Sequence, residues 1–212
     1  MKNKILIEFL GTAMLLFIVT GSGVMAESLS AGNSAVALLG NSIATGCGLY
    51  VLISLLGPLS GAHFNPAVSL SFWRLGALNC GQLWAYILAQ LTGAVSGVWL
   101  THLIFNLPIL QTSSKLRGGL SFWVSEFVAT LILLGVIHLG LKVAKDKMPM
   151  LVALTVTSGY WFTASTFFAN PAVTIARSLT NTFVGIQPSD VFGFVAAQCA
   201  AVVVVCLLMK RD

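Results

Sequence analysis

Two copies of the triplet Asn-Pro-Ala, Asn65-Pro66-Ala67 and Asn170-Pro171-Ala172, interrupt long apolar stretches of this chain. Their surroundings match, with Phe64-Asn65-Pro66-Ala67-Val68-Ser69 in one and Ala169-Asn170-Pro171-Ala172-Val173-Thr174 in the other. Asparagine is a favoured helix N-cap and proline suits the first helical position, so each triplet reads as the start of a short helix. A helix that starts inside a bilayer leaves backbone N–H groups unpaired there, which is tolerable where they line a watery cavity. Two such starts, one in each half, predict a pore.

The bilayer itself follows from composition. Of 212 residues, 57% are hydrophobic and 8% charged, and the mean hydropathy is +0.94, far from the composition of a soluble domain. Apolar runs near 5–25, 37–57, 82–105, 122–142, 151–165 and 188–209 read as six spans. Most reach the ~20 residues that cross ~30 Å of hydrocarbon as a helix, and the fifth is short. The Asn-Pro-Ala stretches follow spans two and five as half-length segments. The expected fold is an all-α membrane protein with six transmembrane helices and two re-entrant half-helices.

The net charge of +5 reflects orientation, not nucleic acid. With the N-terminus in the cytoplasm, Lys2, Lys4, Arg74, Lys142, Lys145, Lys147, Lys210 and Arg211 fall inside, against Lys115, Arg117 and Arg177 outside. That asymmetry satisfies the positive-inside rule and places both termini in the cytoplasm of a multi-pass inner (cell) membrane protein. The apolar run after Lys4 is too long for a signal-peptide core and carries Glu8, so a retained first helix is expected. Cys47, Cys80, Cys199 and Cys206 lack metal or redox spacing and read as apolar filler, with no metal or cofactor implied.

Three features recur in order: Glu8-Phe9 and Glu126-Phe127, Asn65 and Asn170, Gln90 and Gln198. Each half therefore runs span, span, half-span, span. Three crossings per half put the copies, about 1–105 and 120–212, in opposite orientations within one domain covering 1–212. Inverted repeats of this kind place the functional site at their interface near the midplane.

Two inverted half-helices of about eight residues, each rising ~12 Å, meet N-terminus to N-terminus and together nearly span the core. Their positive dipole ends face the lumen, and Asn65 and Asn170 can cap their own helices while offering side-chain N–H groups to a solute. A neutral hydroxylic solute finds donors there, whereas a cation or a proton meets an electrostatic barrier.

On these motifs the chain resembles the aquaporin (major intrinsic protein) family over essentially its whole length. Ser60-Gly61-Ala62-His63-Phe64-Asn65-Pro66-Ala67-Val68 is similar to that family's cytoplasmic re-entrant loop, and Tyr86 to Ala94 to its third helix. The resemblance implies a homotetramer with a pore in each subunit, set in the lipid bilayer and conducting water or small uncharged solutes. It also implies that Glu8 and Glu126 brace the re-entrant loops by accepting backbone hydrogen bonds. Gln90 and Gln198 read as packing or bracing polar residues, and Gly93 and Gly97 as a small face for close helix packing.

Departures from the family pattern bear on selectivity. Most members follow the second triplet with arginine; here Val173 follows. The filter position on the second helix falls on Thr45, where water-selective members carry Phe. On the fifth helix it falls near Ser158 or Gly159, where they carry His. A ring of Thr45, Ser158 or Gly159, Val173 and Phe167 would be wider and less charged than a water filter. It resembles the bacterial branch associated with arsenic resistance, which implies passage of arsenous acid, methylated arsenicals and small polyols.

Arg177 lies one turn beyond Val173 on the same face. It reads either as a charge in the outer vestibule or as an anchor for the half-helix C-terminus. His63 is expected in the cytoplasmic vestibule, His102 and His138 in core polar contacts, and Trp84, Tyr86 and Trp123 at the interfaces. Two alternatives stand beside the wide channel. One is a mainly water- or glycerol-conducting pore. The other is an ion-coupled secondary transporter, which needs a titratable midplane site, yet neither Glu8 nor Glu126 adjoins a triplet. Nothing pairs a nucleophile with a base, so no enzyme is expected.

Overall fold

Residues 1–209 are described by a computed structural model in which eight α-helices and one 3-10 turn follow the chain. The long helices are α1 (Lys2–Leu29), α2 (Ser34–Ser60), α4 (Cys80–Ile104), α5 (Leu120–Val143) and α8 (Pro188–Met209). All five are long and apolar enough to cross a membrane. Helix α6 (Met148–Phe162) has 15 residues, entered through the 3-10 turn Lys145–Lys147. The half-helices are α3 (Pro66–Arg74) and α7 (Pro171–Arg177). Lys210 and Arg211, counted above on the inner face, lie outside the described residues.

The fifth span differs from its expected 151–165. It starts earlier and stops at Phe162, because 163–170 is a non-helical segment of turns that leads to Asn170. An apolar run alone does not reveal that break.

Helix pairing repeats between the halves. α1 packs along α4 and α2, as α5 packs along α8 and α6, while α2 against α6 joins the halves. α3 and α7 both lie between α4 and α8. At the α1–α4 crossing a Cβ on Gly93 would sit 2.3 Å from the Phe9 carbonyl oxygen, and one on Gly97 2.2 Å from that of Ala13. Glycine lets these backbones touch.

Polar residues share the interior with apolar ones, while large apolar side chains cover the outside. Glu8, Gln90, Glu126 and Gln198 are fully buried, whereas Leu103 is 68% and Leu207 62% exposed. Lipid in place of water on the outer surface accounts for that inversion. Tyr86, expected at an interface, is instead buried, and its hydroxyl donates to the Ser60 carbonyl at 2.8 Å. A phenol this far inside needs such a partner.

Candidate functional site

The two half-helices begin with matching chemistry. Asn65 Oδ1 accepts from the Ala67 N–H at 2.8 Å. Asn170 Oδ1 accepts from Ala172 at 3.0 Å and Val173 at 3.3 Å. Each amide nitrogen then crosses to the other half. Asn65 Nδ2 donates to the Ala169 carbonyl at 2.8 Å, and Asn170 Nδ2 to the Phe64 carbonyl at 2.9 Å. One of the two N–H groups on each amide is thereby used to lock the halves, so only the second remains for a solute. This is half the donor capacity that the sequence suggested.

The loops leading into the triplets are strained in the same places. Ala62 and Phe64 have φ of 48°, while Phe167 and Ala169, at the equivalent positions, have 55° and 46°. Left-handed backbone at a non-glycine residue costs roughly 1–2 kcal/mol. Two buried carboxylates offset it. Glu8 Oε1 accepts from Ser60 Oγ at 2.6 Å and the His63 N–H at 3.0 Å. Its Oε2 accepts from the Phe64 N–H and Gln90 Nε2, both at 2.8 Å. Glu126 accepts from the N–H groups of Phe168 at 3.0 Å and Ala169 at 2.9 Å, and from Gln198 Nε2 at 2.6 Å. Hydrogen bonds to a charged group contribute about 1.5–3 kcal/mol each, enough to hold the strained turns. Gln90 and Gln198 also donate to Ser69 and Thr174, each four residues past its asparagine, at 2.9 Å.

A cavity of about 960 Å³, counted to its open ends, runs between the halves. Asn65, Asn170 and the strained loops line its middle, and His63, Leu141 and Met148 line the part toward the face that bears Met1. His63 Nδ1 lies 3.0 Å from Ser69 Oγ, and its ring stacks near Phe72. Toward the opposite face the walls are Thr45, Tyr160, Phe167, Phe168, Val173 and Arg177. Thr45 Oγ1 and Tyr160 Oη are 3.2 Å apart, joining α2 to α6 at this level.

Ser158 is a correction. Its side chain faces outward, is exposed, and bonds back to the Thr155 carbonyl at 3.0 Å. Gly159 does not line the cavity either. It sits behind Phe167, where an added Cβ would come within 2.2 Å of the ring. Tyr160 supplies the α6 wall, since α6 ends at Phe162 and the non-helical 163–170 breaks the helical register between it and Asn170.

Arg177 is 2% exposed. Its Nε donates to the Val184 carbonyl, and its guanidinium lies 3.5 Å from the centre of the Phe168 ring. Arg117, from the segment joining α4 to α5, reaches the same ring at 5.2 Å and donates through Nε to the Gly185 carbonyl at 2.8 Å. Its backbone N–H is held by Asp190 at 2.7 Å. Burial pushes the Arg117 guanidinium down to about 10. Burial, together with the nearby Arg117 and Arg177 charges, also lowers the Lys115 amine. Tyr160, Phe168 and Arg117 carry no local sequence signal, because long-range packing brings the first two to the cavity wall and the third against the Phe168 ring.

The sequence pattern described as Major intrinsic protein matches residues 1–164. Aquaglyceroporin AqpS of Rhizobium meliloti (strain 1021) is 50% identical over 210 residues, covering 99% of this chain and 90% of that protein. A probable glycerol uptake facilitator protein of Thermotoga maritima is 33% identical over 172 residues, 72% of this chain and 71% of that protein. The solved aquaglyceroporin from Plasmodium falciparum overlays with a TM-score of 0.72 at 24% identity, covering 97% of this chain and 94% of that one, a likeness of fold. On the family pattern and the relative that spans its whole length, the chain belongs to the major intrinsic protein family.

Proposed function

We propose that this multi-pass membrane channel for small neutral solutes passes molecules up to the size of glycerol as well as water, arsenous acid and methylated arsenicals among them. The observation that carries this reading is the cavity wall near the second triplet, where Thr45, Tyr160 and Val173 stand in place of a Phe, His and Arg water filter. Two hydroxyls and an isopropyl group offer hydrogen bonds on one side and an apolar surface on the other. That suits an uncharged hydroxylic solute better than an ion. The names of the relatives, an aquaglyceroporin and a probable glycerol uptake facilitator, support the same size range.

In this reading Thr45, Tyr160, Phe167 and Val173 form the constriction, and Asn65 and Asn170 the midplane donors. Glu8 and Glu126 brace the loops, and His63 lines the vestibule on the cytoplasmic side. Two inverted repeats, about 1–105 and 120–212, build the one channel domain, with both termini in the cytoplasm and four copies to the assembly.

A coupled carrier is disfavoured by a specific observation: the oxygens of Glu8 and Glu126 are occupied by loop N–H groups and glutamine amides. The test is light scattering and tracer uptake in proteoliposomes with water, glycerol and arsenous acid, with and without a proton gradient. All three should cross down their own gradients, indifferent to the proton gradient. Flux of water alone would reduce the channel to a water pore, and flux driven by protons would make it a carrier.

A further inference from the structure

Val173 occupies the position where an arginine would place a positive charge in the constriction, yet the outer mouth is not without charge. Arg177 is one helical turn, about 6 Å, farther along α7 and lines the cavity. Its Nε is committed to Val184, while among the described residues its terminal nitrogens take no protein acceptor and are not sealed from the cavity. They therefore face the lumen.

Arg117 stands behind it. Both guanidiniums lie against one ring, Phe168, so the two charges are no farther apart than about 9 Å, within the ~8–10 Å screening length of physiological salt. Among the described residues no carboxylate forms an ion pair with either. Asp190 is turned to the Arg117 backbone. Glu126 is engaged from beneath by the N–H groups of Phe168 and Ala169. Two buried cations without an ion-pair partner, with Glu126 as the nearby carboxylate that offsets part of their charge, set up a positive potential that low-dielectric walls focus into the lumen.

We infer that Arg177 and Arg117, both packed on Phe168, form a guanidinium collar that excludes cations from the channel, separate in position from the size constriction at Thr45, Tyr160 and Val173. This inference rests on the channel reading above and adds a division of labour: radius is set at one level and charge at the next. A wide, arginine-free constriction can then pass bulky neutral solutes without admitting alkali cations. Arg117 is a positioning residue in this scheme, adding its field behind Arg177 and fixing the Phe168 ring.

The experiment compares wild type with Arg177→Gln, Arg177→Lys and Arg117→Gln in proteoliposomes. Potassium leak and glycerol permeability are read in the same vesicles. The ratio of potassium to glycerol permeability should rise by about tenfold in Arg177→Gln, rise less in Arg117→Gln, and return toward wild type in Arg177→Lys. A ratio unmoved in both glutamine variants overturns the collar, as does a lysine variant that leaks as much as the glutamine one. If Arg177→Gln does not reach the vesicles folded, Arg117→Gln and Arg177→Lys decide: a wild-type ratio in Arg117→Gln overturns the paired assignment. Wild type that carries no glycerol contradicts the channel reading instead. Potassium leak of the variants over protein-free vesicles then still decides the collar.

Discussion

Asn65 and Asn170 each do two jobs with one side chain: the oxygen starts a helix and the nitrogen holds the opposite loop. Only the first job is legible in the triplets, since the second depends on a carbonyl 104 or 106 residues away. Asn65→Ala should therefore cost more than the ~1 kcal/mol of a lost cap, read as a lowered midpoint of thermal unfolding in detergent. Glu126→Leu should cost more again, roughly 3 kcal/mol, because the Phe168 and Ala169 N–H groups would be left buried without an acceptor. A Glu126→Leu protein as stable as wild type would mean that the strained loop stands without the carboxylate. The sequence marks Glu8 and Glu126 by a shared Glu-Phe dipeptide at the same place in the order of features ahead of each triplet, but not the left-handed turns they hold, which no residue type there announces.

At the scale of elements, the long helices could be read from hydropathy because lipid-facing positions are apolar all round. The break in the fifth span is harder to read, since 163–170 mixes Thr163, Ser165 and Thr166 with Phe167 and Phe168 and carries no glycine, proline or charge to mark a helix end. That segment misled the reading of Ser158 and hid Tyr160. Helix contacts are more legible: Gly93 and Gly97 stand one turn apart, and both meet α1 backbone. Gly97→Val should force α1 and α4 apart and destabilise the protein by about 3 kcal/mol, the upper end for overpacking, because backbone cannot move aside as a side chain can. Unchanged thermal stability in that variant would place the crossing elsewhere.

For the whole molecule, the paired motifs lead from sequence to channel, and residues of both triplets line one cavity. What the sequence leaves open is the path of the 106–119 segment. It folds over the mouth through Ser113 to Ser178, Lys115 to Gln187 and Arg117 to Gly185, contacts too distant in sequence to infer. Assembly belongs to this scale too. Four copies of a 22.4 kDa chain should elute together from detergent, and a monomeric mass by light scattering would refute the tetramer.

The most direct measurement is stopped-flow light scattering on proteoliposomes holding wild type or Val173→Arg, with water and glycerol permeability taken from the same preparation. Wild type should pass both. Val173→Arg should lose glycerol permeability by about tenfold or more while still conducting water, because bulk and charge return to the constriction. Glycerol passing equally through both proteins, or through neither, would contradict a size constriction at Val173.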